Sequence, residues 1–357
     1  MKYKLSEIGK IVGGGTPSSK HEEYYTPNGI PWLTPKDLSN YTNMYISRGA
    51  RNITEEGLKK SSAKLLPAKS ILVSSRAPIG YVAIANNSIS TNQGFKSIVP
   101  NTDIVIPEYL YFVMKKSKAA LEQVSSGSTF KEVSTKVMSN FEVDIPSIEV
   151  QRKILTYLMP ISQKIELNKR INDNLAETKS AIFNELFDSK LANGLNGKLQ
   201  DITDLKTGKR PKNKFNQRDS KAIYPIIGAT KVMGFTTDYL YDESVITIGR
   251  VGTHGVVQRY REPIWVSDNS FIFLSEHEDY LYELLSHRIK YSSLNVGSTQ
   301  PLITQSDLKN IDIYVPTKQE FSIFEERTAA LTKYQFKLNK QSSTLKALQN
   351  SLLDKYF

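Results

Sequence analysis

Two long stretches of the chain place apolar side chains at alternating steps of three and four, the period of one face of a paired helix. In the later stretch Phe321, Phe324, Thr328, Leu331, Gln335, Leu338, Ser342, Leu345, Gln349, Leu352 and Tyr356 keep that spacing, and neither Pro nor Gly follows Pro316. In the earlier one Ile154, Leu158, Ile161, Ile165, Asn168, Asn172, Leu175, Lys179, Ile182 and Leu186 step likewise. Each predicts a helix of about 40 residues, roughly 60 Å long at 1.5 Å per residue. Pro160 is expected to kink the first helix or to mark a break near its start. Polar side chains at seam positions (Asn168, Asn172, Gln335, Ser342) fix register at a cost in stability. Helices this long with one apolar stripe need a partner helix.

The rest of the chain reads as short β-branched runs at 71–73, 81–85, 245–248 and 311–315, with a helix over 107–124. It also repeats. "SSGST" (125–129) and "SNFEVDIP" (139–146) recur 170 positions later as "NVGST" (295–299) and "KNIDIYVP" (309–316). "LSEIGKIVGGGTP" (5–17) lines up with "LQDITDLKTGKRP" (199–211) at an offset of 194, so the first copy holds 24 extra residues. Between them, "SSRAPIG" (74–80) then "STNQGF" (90–95) matches "IGRVGTHG" (248–255) then "VSDNSF" (266–271). Five matches in one order mark a tandem duplication of a globular unit.

Connectivity then gives the architecture. The first helix ends near 189, an Asn/Gly-rich link (193–197) leads into the second unit, and the second helix leaves that unit after Pro316. A compact second unit lets the second helix run back along the first. The expected class is α+β: two mixed α/β globular domains joined by two long helices forming an antiparallel coiled coil, a pseudo-two-fold tandem repeat. The expected divisions are 1–147, 148–192, 193–316 and 317–357.

Composition narrows the chemistry. With 357 residues, 39% hydrophobic, and 19 Tyr and 14 Phe, the chain has enough apolar surface for packed cores. The absence of Cys removes disulfides, thiolate zinc sites and cysteine nucleophiles, and His21, His254, His277 and His287 show no metal-ligand spacing. No 18-residue apolar run and no charged-then-apolar leader over 1–20 is visible, so neither a membrane span nor a signal peptide is expected, and the cytoplasm is the expected compartment. The net charge of +11 is concentrated at +6 in residues 1–146 and points to a polyanionic partner.

Catalytic motifs are missing. There is no N/D-P-P-Y/F motif with a glycine-rich cofactor turn, no G-x-S-x-G elbow and no H-E-x-x-H helix. "GKIVGGGTPSS" (9–19) lacks the Gly-Lys-Ser/Thr ending of a phosphate loop. The chain instead carries polar loops. Lys206, Lys209, Arg210, Lys212, Lys214, Arg218 and Lys221 put seven cations in sixteen residues beside one acid, Asp219, forming either a solvated loop or a phosphate contact. Thr91, Asn92 and Gln93 sit in the loop set against Asp268 and Asn269. Asn and Gln pair with adenine, and Arg76 and Arg250 suit guanine, or all serve as turn and structural hydrogen-bonding residues. Ser128 and Thr129 before Lys131, and Ser298 and Thr299 before Gln300, either face phosphate or cap a helix. His254, beside Gly255, reads as a turn residue or a ligand.

The segments "GGGTPSSKHEEYYTPNGIPWLTPKDL" (13–38), the repeated GST and "VDIPSIEVQRKI" (143–154) with its helix resemble the specificity (S) subunit of type I restriction-modification systems. "IYVPTKQEF" (313–321) and its helix stand in the matching place of the second half, so the resemblance covers essentially the whole chain. It implies a non-catalytic reader of double-stranded DNA whose two globular parts are target-recognition domains, each reading half of an asymmetric bipartite site. The helices set the gap and hold two methyltransferase (M) subunits, with restriction (R) subunits joining for cleavage. S-adenosylmethionine, ATP and Mg are expected on those partners and no cofactor on this chain. The first glycine loop adds Thr16, Ser18 and Lys20 to the DNA-contacting candidates. In the second half "KTGKRPKNK" (206–214) replaces the Gly-Gly-Thr-Pro loop, so a different half-site is expected there. Apolar positions left over on a two-helix coil (Leu155, Leu167, Ile171, Phe183, Ile323, Phe336, Leu348 and Leu353) are the expected partner surface. Alternatives are an S-like subunit of a type IIB or related enzyme, and a coiled-coil adaptor without sequence readout.

Overall fold

The computed structural model describes residues 1–76, 78–125, 131–250, 255–294 and 303–357. Contacts divide it into two compact units, Met1–Arg170 with Asn339–Phe357, and Ile171–Leu338. Each is an α+β assembly of short strands and a few helices, and each contains part of both long helices, Ile148–Asn193 and Lys318–Tyr356. The first long helix runs through Pro160 without a break, which removes the break from the two alternatives expected there.

In the first unit, strands β1 (Lys2–Lys4), β2 (Gly9–Gly13), β3 (Tyr25–Thr26), β4 (Ile30–Leu33), β5 (Tyr45–Ile46) and β6 (Arg51–Ile53) precede β7 (Ile71–Val73), β8 (Val82–Ala85), β9 (Ser90–Thr91), β10 (Lys96–Pro100) and β11 (Glu142–Asp144). They form sheets ordered β2-β10-β7-β8-β5 and β3-β6-β4-β9, with β1 paired to β11. The second unit holds β12 (Gly197–Lys198), β13 (Asp204–Thr207), β14 (Tyr224–Ile227), β15 (Val232–Thr236), β16 (Val245–Gly249), β17 (Gln258–Tyr260), β18 (Trp265–Val266), β19 (Ser270–Leu274) and β20 (Asp312–Ile313). Their order, β13-β19-β16-β17, β15-β14-β18 and β12-β20, reproduces the first unit without counterparts of β3 and β5. β5 lies where the first copy has extra residues, between β4 and β7, whereas in the place of β3 the second copy has only an isolated bridge, Phe215 to Phe235.

The central sheets are covered on both faces, which is why their strands read as unbroken apolar runs rather than alternating ones. In β7, Ile71 and Val73 enter one core while Leu72 enters another with Ala83, Ala85 and Phe95. In β16, Ile246 and Ile248 join Phe271 and Phe273, whereas Val245 packs with Ile227, Val266 and Ile272. The long helices complete one core in each unit. Ile154, Leu158 and Leu353 pack in the first, and Phe183, Phe187, Phe321 and Phe324 in the second.

Within each unit the two helices pair antiparallel, and several seam contacts are polar. In the first unit, Asn168 Nδ2 donates to Gln341 Oε1 (2.9 Å) and Ser342 Oγ (3.1 Å), and Gln349 Nε2 donates to Ser162 Oγ (2.7 Å). In the second, Gln335 Nε2 donates to the Asn172 carbonyl (3.1 Å). Arg327 holds Glu185 through two bonds of 3.0 and 2.8 Å. No helix among the described residues is long and apolar enough to cross a membrane.

A buried charge network fastens the helix Glu278–His287 to both long helices. Asp279 accepts from Arg259 Nη1 (2.5 Å) and the Thr332 hydroxyl (2.8 Å), and Arg259 lies 4.3 Å over the Tyr282 ring. Burial, the largest single influence, would raise the Asp279 carboxyl, but Arg259, the Thr332 hydroxyl and Lys179 together outweigh it and hold the group below its ordinary value. Lys179 and Glu283 stand 3.7 Å apart in the same network, and burial dominates both, lowering the lysine and raising the acid. Asp279 therefore contributes stability above its ordinary pKa of 3.8, and this is lost as the pH falls through its lower folded value. Glu283 acts oppositely: its contribution is complete below 4.5 and disappears as the pH rises through its raised folded value.

These two pairs should respond differently to substitution. Asp279→Ala leaves the buried Arg259 with Glu278 as its one remaining carboxylate, 3.3 Å from Nε, and is expected to cost about 3 kcal/mol, whereas Lys179→Met with Glu283→Gln should be neutral or stabilising. Denaturant unfolding of the full chain at pH 7 checks the order, and the reverse ranking contradicts this account.

Candidate nucleic-acid interface

After β2 the chain crosses the loop that follows β9. Gly14 N donates to the Phe95 carbonyl (3.4 Å) and Gly15 N to the Thr91 carbonyl (2.9 Å). A Cβ on Gly14 would overlap the Asn92 carbonyl, so glycine is required by the closeness of the crossing. The second unit repeats the arrangement. Gly208 N reaches the Ser270 carbonyl (3.0 Å), Lys209 N reaches the Val266 carbonyl (2.9 Å), and a Cβ on Gly208 would overlap the Ser267 carbonyl. "Lys-Thr-Gly-Lys-Arg-Pro" thus keeps the one glycine that the crossing needs.

An indole secures each loop. Trp32 Nε1 donates to the Gly15 carbonyl (2.9 Å), and Trp265 Nε1 donates to the Lys209 carbonyl (2.6 Å). In the first unit the Tyr25 hydroxyl also donates to the Pro17 carbonyl (2.7 Å). In the second, Asn213 accepts from the Thr236 hydroxyl (2.7 Å) and donates to that of Thr237 (2.9 Å), while Asp219 takes the amides of Lys221 and Ala222. The basic loop is therefore pinned through its neutral and acidic residues, and Lys209, Arg210, Lys212 and Lys214 are exposed along it.

Backbone pairing corrects the loop alignment by one residue. Asn92 N donates to the Leu33 carbonyl (2.8 Å) as Ser267 N does to that of Ile227 (2.9 Å). Ser75 N donates to the Gly94 carbonyl as Arg250 N does to that of Asn269, both at 2.8 Å. Arg250 is thus the counterpart of Ser75 rather than Arg76, and Gln93 matches Asp268 rather than Asn269.

The candidate residues separate accordingly. Thr16 and Gln93 are exposed and meet, the Thr16 hydroxyl donating to Gln93 Oε1. Their counterparts Arg210 and Asp268 also meet, Nε to Oδ2 at 3.8 Å. Ser18, Lys20, Lys131 and Asn269 are exposed. Thr91 is buried at 1% exposure, which removes its hydroxyl from any outside partner. Asn92 Oδ1 is taken by the Gly94 amide (2.9 Å), a turn role of the kind this residue often plays. Arg76 is half-buried 3.8 Å from Glu132, which also takes Lys96 at 3.1 Å. Arg250 is half-buried near the Phe271 ring (6.0 Å), its Nε without a hydrogen-bond partner. Ser128, Thr129, His254, Ser298, Thr299 and Gln300 lie outside the described residues. The helix caps sit further on: Ser134 accepts from the Val137 amide (3.2 Å) and Thr304 from the Asp307 amide (3.1 Å).

On the long helices Leu167, Ile323 and Leu348 are 45%, 40% and 48% exposed. Ile171 and Phe336 are half-buried, with the Arg261 guanidinium 4.5 Å over the Phe336 ring. Phe183 and Leu353 are not surface residues, because the globular units cover the helix faces that a two-helix coil leaves open. Leu155 is half-buried against the first core for the same reason. Val150, Tyr157 and Tyr334 are also exposed on these helices, off the positions expected from the sequence.

The family model "Type I restriction modification DNA specificity domain" matches residues 1–177 and 196–350. The chain is 32% identical to the type I restriction enzyme MjaIX specificity subunit of Methanocaldococcus jannaschii, over 99% of this chain and 91% of that protein. It is 30% identical to the EcoR124I/EcoR124II specificity subunit of Escherichia coli over 43% of this chain and 39% of that one. Among solved structures, the type I restriction-modification S subunit from M. genitalium superposes with a TM-score of 0.60 at 16% identity, covering 100% of this chain and 96% of that one.

The exposed lysines of the basic loop give a direct test. Replacing Lys209, Lys212 and Lys214 by Gln is expected to weaken binding to duplex DNA on every sequence and to lower the log–log salt slope by roughly 2–3. A filter-binding salt titration reads this, and an unchanged slope removes the loop from the phosphate interface.

Proposed function

The chain belongs to the type I restriction-modification specificity subunits, recognition components that are not themselves catalytic, and on that premise we propose that each globular unit reads one half of an asymmetric bipartite DNA site. Residues 1–147 and 193–316 act as the target-recognition domains, and the helical segments 148–192 and 317–357 act as the spacer. The observation that carries this reading is the duplicated loop crossing, built twice on the same strand order but bearing different exposed side chains. One scaffold with two sets of contact residues is what reading two different half-sites requires.

Two M subunits dock on the paired helices, where Leu167, Ile323 and Leu348 offer exposed apolar side chains. They bring S-adenosylmethionine and methylate adenine N6 on a base taken out of the stack. R subunits join for ATP-driven cleavage. Docking and spacing fall to the helices, because a paired helix with a register-fixing polar seam is stiff enough to serve as a ruler.

Mapping methylated adenines left by the chain with its M partner tests the reading. The expected product is a bipartite sequence with an unspecified gap. Deleting residues 164–170 together with the facing 340–346 removes a whole heptad from each helix, which preserves the apolar seam and leaves Gln349–Ser162 and Gln335–Asn172 to hold the register. It shortens the helices by about 10 Å, roughly 3 bp of duplex. The gap should shrink by that amount with both half-sites unchanged. A continuous methylated sequence, or the original gap in the deletion variant, contradicts the proposal.

A further inference from the structure

Both tryptophans of the chain do the same thing from different strands. In the first unit the parallel pair β4–β9 sets Trp32 opposite Ser90; in the second, β14–β18 sets Ile226 opposite Trp265. Trp32 and Ile226 are counterparts, as are Ser90 and Trp265. The large side chain has changed strand, yet each indole N–H still ends on the carbonyl of the residue after the crossing glycine, Gly15 or Lys209. Packing needs only one large and one small side chain in such a pair. It does not require the indole nitrogen to reach one particular carbonyl from two directions. What the two units share is the fixed position of that carbonyl.

The residue after the clamped carbonyl is Thr16 in one unit and Arg210 in the other. Each crosses to the side chain of the neighbouring loop, Gln93 or Asp268. The two pairs occupy the same place and are exposed or half-buried, but their chemistry differs. Thr16 uses one lone pair of Gln93 Oε1, leaving a second lone pair and the amide NH2 for a ligand. Gln suits adenine and the Thr methyl suits that of thymine, whereas Arg suits guanine and Asp accepts from cytosine N4.

Resting on the half-site reading above, we propose that Thr16–Gln93 and Arg210–Asp268 are equivalent base-selecting pairs, each positioned by an indole clamp. The first pair selects an A·T base pair in its half-site, and the second selects a G·C base pair in the other. Trp32 and Trp265 are positioning residues: they touch no base and act through the loop carbonyl.

The test uses the full chain with its M partner and a library of duplexes in which each specified base pair is varied. Thr16→Arg with Gln93→Asp should move one position of the first half-site from A·T to G·C by about tenfold or more, with every position of the second unchanged. Trp32→Ile should flatten selectivity at that same position, and adding Ser90→Trp, which supplies the indole from the neighbouring strand, should restore it. Loss of folding in Trp32→Ile leaves the exchange of the surface pair to decide. Unchanged selectivity after that exchange, changes in both half-sites, or a folded double variant that fails to recover would overturn the proposal. Wild-type protein that selects no bipartite site would instead overturn the half-site reading itself.

Discussion

Ile154 and Leu158 from one long helix and Leu353 from the other lie in the same apolar core as Ile71, Ile84 and Ile98 of the first central sheet. Phe183 and Phe187, with Phe321 and Phe324, do the same for the second. A sheet covered on one face only by its own short helices would leave branched side chains in water, at roughly 25 cal/mol for each Å² exposed. Both helices therefore belong to both cores. This shared burial is the constraint on which the remaining features depend, because it ties each globular unit to helix segments far away in sequence.

Burial alone does not choose a register, since apolar side chains accept many sliding positions. The polar seam supplies that choice. Asn168 meets Gln341 and Ser342 while Gln349 meets Ser162, and slipping either helix by a turn would take these partners from the buried Asn168 and Gln349 amides. Around Asp279 the same logic extends to the second globular unit, where one carboxylate collects Arg259, Thr328 and Thr332. Register so fixed suits the spacer role proposed for these helices.

The long helices were legible because a heptad is a periodic signal repeated over many turns, and the duplication because landmark strings recur in order. Loops have no period, and there the reading slipped. Arg76 and Arg250 share a letter, but backbone pairing makes Ser75 the counterpart of Arg250. Thr91 looked available in a polar string, yet the strand pairing of β9 buries it. Phe183 and Leu353 looked surplus only while the coil was treated as two helices alone. The indole clamps were invisible, since their tryptophans fall at different places in the two copies and only the sheet register reveals what they share.

The central claim is that one scaffold, used twice, reads two independent half-sites. Its most direct measurement replaces residues 1–147 with the matching residues of a relative and maps methylated adenines across a genome. One half-site should be exchanged for that of the donor, while the other half-site and the gap stay as they were. Alteration of both halves, or of neither, would contradict the account.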